Sequence, residues 1–121
     1  MFEILPDSKE ALLIVRASGF LTADDYEKVL LPKLDSLFKS HTKLRILINF
    51  SEDFAGWASP KAVWDDMKIG LQHPADFEKI ALVGAPGWVI MGLNLYSLFV
   101  KGEMRTFESG QMATALSWLQ N

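Results

Sequence analysis

An α/β domain built on a mostly parallel sheet is the fold class this sequence predicts, and three features predict it. The segment Leu44–Phe50 and residues 79–83 are almost continuously apolar, which is the pattern of strands covered on both faces. Helical stretches alternate with these strands, and such alternation demands right-handed crossovers and parallel pairing. The chain has 121 residues, half of them apolar, enough for one core and one domain over 1–121.

Residues 2–5 and 11–15 are short apolar runs separated by Pro6-Asp7-Ser8-Lys9, and they read as an N-terminal antiparallel hairpin leading to Gly19-Phe20. Thr22 and Asp25 form a capping box with Asp in place of Glu, and Asp24 and Asp25 suit the positive end of a helix dipole. The helix over about 23–40 carries Tyr26, Val29, Leu30, Leu34, Leu37 and Phe38 at helical spacing, and Pro32 within it predicts a bend near Leu31. After the central strand, a loop over 51–58 leads to Ser59-Pro60, an N-cap and first-turn proline for a second helix that runs to about Gln72 and ends at His73-Pro74. The strand at 79–83 turns through Gly84-Ala85-Pro86-Gly87 into a third helix over 88–100. A short strand over 103–107 follows, and then a last helix capped by Ser109 with Met112, Ala115, Leu116 and Leu119 on its inward stripe. The resulting order is ββαβαβαβα.

Composition excludes several functions. With no cysteine there is no disulfide, thiolate metal site or cysteine nucleophile, which fits a reducing compartment. The N-terminus has no basic stretch followed by a long apolar run, so it does not read as a secretory signal, and the cytoplasm is the expected location. A net charge of −3 with dispersed lysines and arginines offers no basic stripe for nucleic acid and little electrostatic pull toward anionic lipid.

In open α/β sheets, ligands bind beyond the carboxyl ends of the parallel strands. The strand-to-helix loops there carry Phe20, Leu21, Phe54, Trp57, Ser59 and Trp88, so one rim collects aromatic side chains. That rim is either an apolar binding surface or a set of lids folded back on the core. The third helix adds a second anomaly, because only Asn94 and Ser97, with Ile90 beside them, leave a polar sector. Its apolar arc of roughly 220° exceeds what one sheet can cover, so a neighbouring helix, a second subunit, an apolar ligand or a membrane surface should take the remainder. At about 14 residues it is too short to span a bilayer.

Candidate chemistry is sparse. Asp65 and Asp66 are adjacent and diverge by about 100° on a helix, so they do not converge on one proton or metal. Asp65 is expected to be solvated and paired with Lys61 or Lys68, and His41 and His73 read as C-terminal caps. There is no G-x-S-x-G elbow, and Gly84-x-x-Gly87 matches no nucleotide-binding pattern. Neither a catalytic residue, a metal site nor a cofactor is expected. Ser59 at a helix N-terminus could carry a phosphoryl group or simply cap the helix.

A resemblance follows from Gly56-Trp57, Ala62-Val63-Trp64-Asp65-Asp66-Met67-Lys68, Lys79-Ile80-Ala81-Leu82-Val83-Gly84 with Trp88 beyond, Arg105-Thr106-Phe107 and Ala115-x-x-Trp118-Leu119. Together these resemble the SpoIIAA-like family of small bacterial proteins, related in fold to STAS domains, over nearly the whole chain. The resemblance implies a STAS-like fold and no catalytic residues. STAS-type anti-sigma-factor antagonists carry a phosphorylatable serine at the start of the helix after the corresponding strand, in an Asp-Ser context. Ser59 departs from it, being flanked by Ala58 and Pro60. The fold is also similar to lipid-carrying CRAL-TRIO domains.

The expectation is therefore a binding domain that holds an apolar or lipid-like ligand, or associates peripherally with membrane. Phe54, Trp57, Trp64, Met67, Trp88 and Met91 are its contact residues, and the third helix is a movable cover. The alternative is a STAS-type regulator that binds a protein partner near Ser59. A homodimer would also cover the apolar surface.

Overall fold

The computed structural model describes residues 1–5, 11–72, 76–96 and 102–121. It contains a five-stranded sheet in the order β1-β2-β4-β6-β7, formed by Phe2–Ile4, Leu12–Ala17, Leu44–Phe50, Phe77–Val83 and Glu103–Phe107. β1 pairs antiparallel with β2, and every other neighbour pair in this sheet is parallel. A mostly parallel sheet with an N-terminal antiparallel hairpin is thus the architecture. Between β2 and the first helix, and between β4 and the second, lie the two-residue strands β3 (Phe20–Leu21) and β5 (Gly56–Trp57), paired in parallel as a separate ribbon. The loop expected over 51–58 therefore contains a strand, too short to carry a pattern of its own.

Strand alternation sorts side chains into two cores. Leu13, Val15 and Ala17 of β2, Ile46 and Phe50 of β4, and Ile80 and Leu82 of β6 pack in one cluster with Tyr26, Leu30 and Leu34 and with Ala62, Ile69 and Val89. The helices α1 (Leu31–Phe38), α2 (Pro60–Gln72) and α3 (Gly87–Tyr96) supply this layer. The opposite face carries Ile14, Leu47, Ala81 and Val83 against Ala115 and Leu119 of α4 (Met112–Gln120). Three crossovers in one direction place three helices on one face, and the chain's last segment closes the other.

The first helix changes its hydrogen-bond pattern where Pro32 is expected to bend it. Residues Asp25–Leu30 form a π-helical turn, and the Leu31 N–H donates to the carbonyl of Tyr26, five residues back. Pro32, in the first turn of α1, has no N–H and its ring crowds the preceding turn, and the wider π turn accommodates it. The Thr22 and Asp25 box forms as expected: the Thr22 N–H donates to Asp25 Oδ2 at 2.8 Å and the Asp25 N–H to Thr22 Oγ1 at 3.1 Å.

Two further expectations are corrected. Ser109 does not cap α4; Gln111 occupies that position, without a side-chain cap bond, because Gly110 prolongs the turn. Asp65 is not solvated but 1 % exposed, turned inward between Ala62 and Ile69 on the buried face of α2. Lys68 Nζ lies 3.3 Å from its Oδ1, yet neither carboxylate oxygen accepts a hydrogen bond, while Lys61 pairs with Glu27 at 3.1 Å. His41 faces the Leu37 carbonyl at 3.1 Å, in keeping with a C-terminal cap. His73, residues 97–100 and the side chain of Met67 lie outside the described residues.

Candidate functional site

The β3–β5 ribbon assembles the rim. Phe20 is registered with Gly56 and Leu21 with Trp57, and the flanking bonds Ala55 N–H to Gly19 O and Ala58 N–H to Leu21 O, both 2.8 Å, zip the loop after β2 to the loop after β4. Alternation sends Leu21 inward and Phe20 outward, where it is 60 % exposed. Gly56 has φ +110°, a conformation that disfavours other residues, and the Trp88 ring lies 3.1 Å from where a Cβ would stand. The missing side chain therefore makes room for the indole.

Phe54 is the centre of the cluster. Its ring meets Phe50 edge-on at 4.8 Å and Trp57 at 5.8 Å, and stacks on Trp88 at 6.1 Å with an 11° interplanar angle. Trp57 and Trp88 are edge-on at 6.0 Å. The rim residues are thus neither all open nor all closed. Phe54 is buried and Trp57 half-buried, whereas Trp88 is 53 % and Met91 74 % exposed. Among the described side chains of α3, Val89 enters the core, whereas Trp88 and Met91 are exposed. Gly56 has Phe20 as its backbone partner in the ribbon and the Trp88 ring against its α-carbon side, and Met91 follows Trp88 one helical turn along.

A polar chain anchors the cluster from below. Trp57 Nε1–H donates to the Tyr26 hydroxyl at 2.7 Å, and that hydroxyl donates to Asp66 Oδ1 at 2.9 Å. Tyr26 is fully buried, with Phe2 edge-on at 4.9 Å. Asp66 is half-buried by surface area, yet its carboxyl points inward; burial pushes its pKa up to about 6, against the opposing effect of the Tyr26 bond. Sequence reasoning missed this chain because nothing in spacing relates position 26 to positions 57 and 66.

The remaining site expectations separate from the cluster. Trp64 is 53 % exposed on α2 beside the exposed Val63. The Ser59 hydroxyl accepts the Ala62 N–H at 3.2 Å, which is N-cap geometry. A distinct cleft of about 670 Å³ opens where α3 and α4 leave adjacent strands on opposite faces, lined by Gly84, Ala85, Ile90, Thr106, Ser109 and Gln111 among others. None of the aromatic contact residues lines it. Among the described residues, no group of three or more His, Cys, Asp or Glu side chains could hold a metal ion, and no helix is long and apolar enough to cross a membrane.

A mostly parallel sheet with a leading hairpin, three helices on one face and a closing helix on the other defines a STAS-like regulatory or binding domain. Within that class the chain belongs to the SpoIIAA-like family, whose model matches residues 12–120. It is similar to a crystal structure of a DUF3478-family protein with a SpoIIAA-like fold from Shewanella loihica. The two are 29 % identical with a TM-score of 0.76, over 98 % of this chain and 92 % of that one. No curated protein matches the sequence.

Proposed function

We propose that this is a non-catalytic binding domain that docks its aromatic face on lipid-like material, at a bilayer surface in the first instance. The observation that carries the reading is the set of exposed apolar side chains borne by the elements that meet at Gly56: Phe20, its backbone partner in the ribbon, Trp88, whose ring lies against it, and Met91, one helical turn further on. The buried rings beneath fill one another's space, which favours docking of the outer residues over enclosure of a ligand. Tryptophan, with its apolar body and N–H, suits the headgroup boundary. Burying these three side chains would contribute on the order of 5 kcal/mol before the cost of association is subtracted, which makes the docking weak and reversible.

Co-sedimentation with phosphatidylcholine vesicles tests the reading. Met91→Ala should weaken binding while leaving the thermal midpoint near that of the wild type, since that side chain is exposed, and Trp88→Ala should weaken binding with some loss of stability from its contacts to Phe54 and Trp57. Unchanged vesicle binding in both variants would overturn it.

A regulatory, partner-binding role is the second reading. What favours it is that exposed Val63 and Trp64 stand on α2 next to Ser59, offering apolar contacts beside a helix N-terminus. If Ser59 is a phospho-switch there, Ser59→Glu should change the proteins recovered in a pull-down. Identical recovery would remove the switch.

A further inference from the structure

We propose that the hydrogen-bond chain Trp57–Tyr26–Asp66 is a pH-sensitive latch on the aromatic face, and that protonating Asp66 frees Trp57 and strengthens docking on a lipid surface. The inference rests on the docking reading above. The chain joins three separate segments, β5, the π-helical turn and α2, through one fully buried hydroxyl.

The proton arrangement explains the latch. With Asp66 ionised, the carboxylate draws the Tyr26 proton and leaves the hydroxyl lone pairs to the Trp57 N–H. This is a charge-assisted bond that polarises the next. With Asp66 protonated, its oxygen is a neutral and weaker acceptor, or its own O–H donates to Tyr26 and competes with Trp57 for the hydroxyl. Either outcome weakens the hold on Trp57. That indole packs edge-on against both Phe54 and Trp88, so its release loosens the support under the exposed face. Protonation also removes a negative charge beneath a surface that must be desolvated on docking.

The charges around Asp66 do not provide a competing control. From the π-helical turn, Asp25 is paired with the N-terminal ammonium at 3.4 Å and Glu27 with Lys61, and Asp24, just before it, with Lys28 at 3.5 Å. β5 contributes Trp57, with no titrating group. On α2 itself, Asp65 lies against Lys68. Among the described residues, no cation forms an ion pair with Asp66, so burial and the Tyr26 bond set its proton affinity.

Tryptophan emission titrated from about pH 8 to about pH 5 without lipid reads the latch directly, and vesicle co-sedimentation at both ends reads docking. The wild type should show an emission change centred near pH 6. Asp66→Asn and Tyr26→Phe should lack it. Wild-type vesicle binding should rise about tenfold at the acidic end, and Asp66→Asn should bind at both pH values as the wild type does in acid. An emission change that persists in Asp66→Asn overturns the latch, as does wild-type binding of equal strength at both pH values. If no protein binds vesicles yet the emission change is confined to the wild type, the docking reading falls and the control of Trp57 by Asp66 is supported.

Discussion

At Gly56 the backbone requirement and the packing requirement coincide. Its φ of +110° is strained for any residue with a Cβ, and such a Cβ would meet Trp88 at 3.1 Å. Gly56→Ala should therefore destabilise the domain by about 1–3 kcal/mol and displace the Trp88 ring, measured as a lower denaturation midpoint with a shifted tryptophan emission. Asp66 behaves differently. Its folded pKa of about 6 lies above its ordinary value of 3.8, so the folded state binds the proton more tightly than the unfolded chain does. Stability should consequently be highest below about pH 4 as far as this group is concerned, and fall as pH rises through 6, by about 1–2 kcal/mol once partial solvent access is allowed for. Urea denaturation of the wild type and of Asp66→Asn across that range checks it: the variant should lose this component of the pH dependence. Protonation thus raises global stability while it loosens Trp57 locally, and an opposite response of the two readouts is the signature of the latch.

The elements show which end signals act as written. Thr22 with Asp25 and Ser59 with Pro60 open their helices as local chemistry predicts, because capping needs only residues a few positions apart. Ser59→Ala should cost about 1 kcal/mol, and Ser59→Asp should retain most of the cap, measured by thermal denaturation. The end of α4 depends on distant partners instead. The Arg45 guanidinium donates to the Leu119 carbonyl and pairs with Glu78 at 3.2 Å, and Lys79 Nζ reaches the Trp118 carbonyl at 3.0 Å while lying over the Trp118 ring. These cations project from β4 and β6 toward the negative end of the helix dipole, so the sheet itself caps α4. Arg45→Ala should raise hydrogen exchange in the last turn of α4 well above that in β4, detected by mass spectrometry.

For the whole molecule, the two cores and the aromatic face should respond independently. Leu47 is fully buried between the sheet and α4, and Leu47→Ala should cost about 2–5 kcal/mol without altering vesicle binding of the folded protein. Trp57→Ala should lower stability, because Trp57 is half-buried and bonded to Tyr26, whereas Met91→Ala should lower docking alone.

The sequence by itself determined the α/β class, the succession of the main strands and helices along the chain, the leading hairpin and the gathering of aromatic loops at one end of the sheet. Those features follow from apolar periodicity, chain direction and short-range caps, all of which are local. Only the tertiary structure decided which rings are buried, where Asp65 turns and how Tyr26 joins Trp57 to Asp66. The β3–β5 ribbon needs just two residues from each of two distant loops, so no periodicity marks it. Adjacent aspartates likewise look equivalent in sequence; helix rotation buries one among apolar neighbours and directs the other to a tyrosine hydroxyl on a different segment.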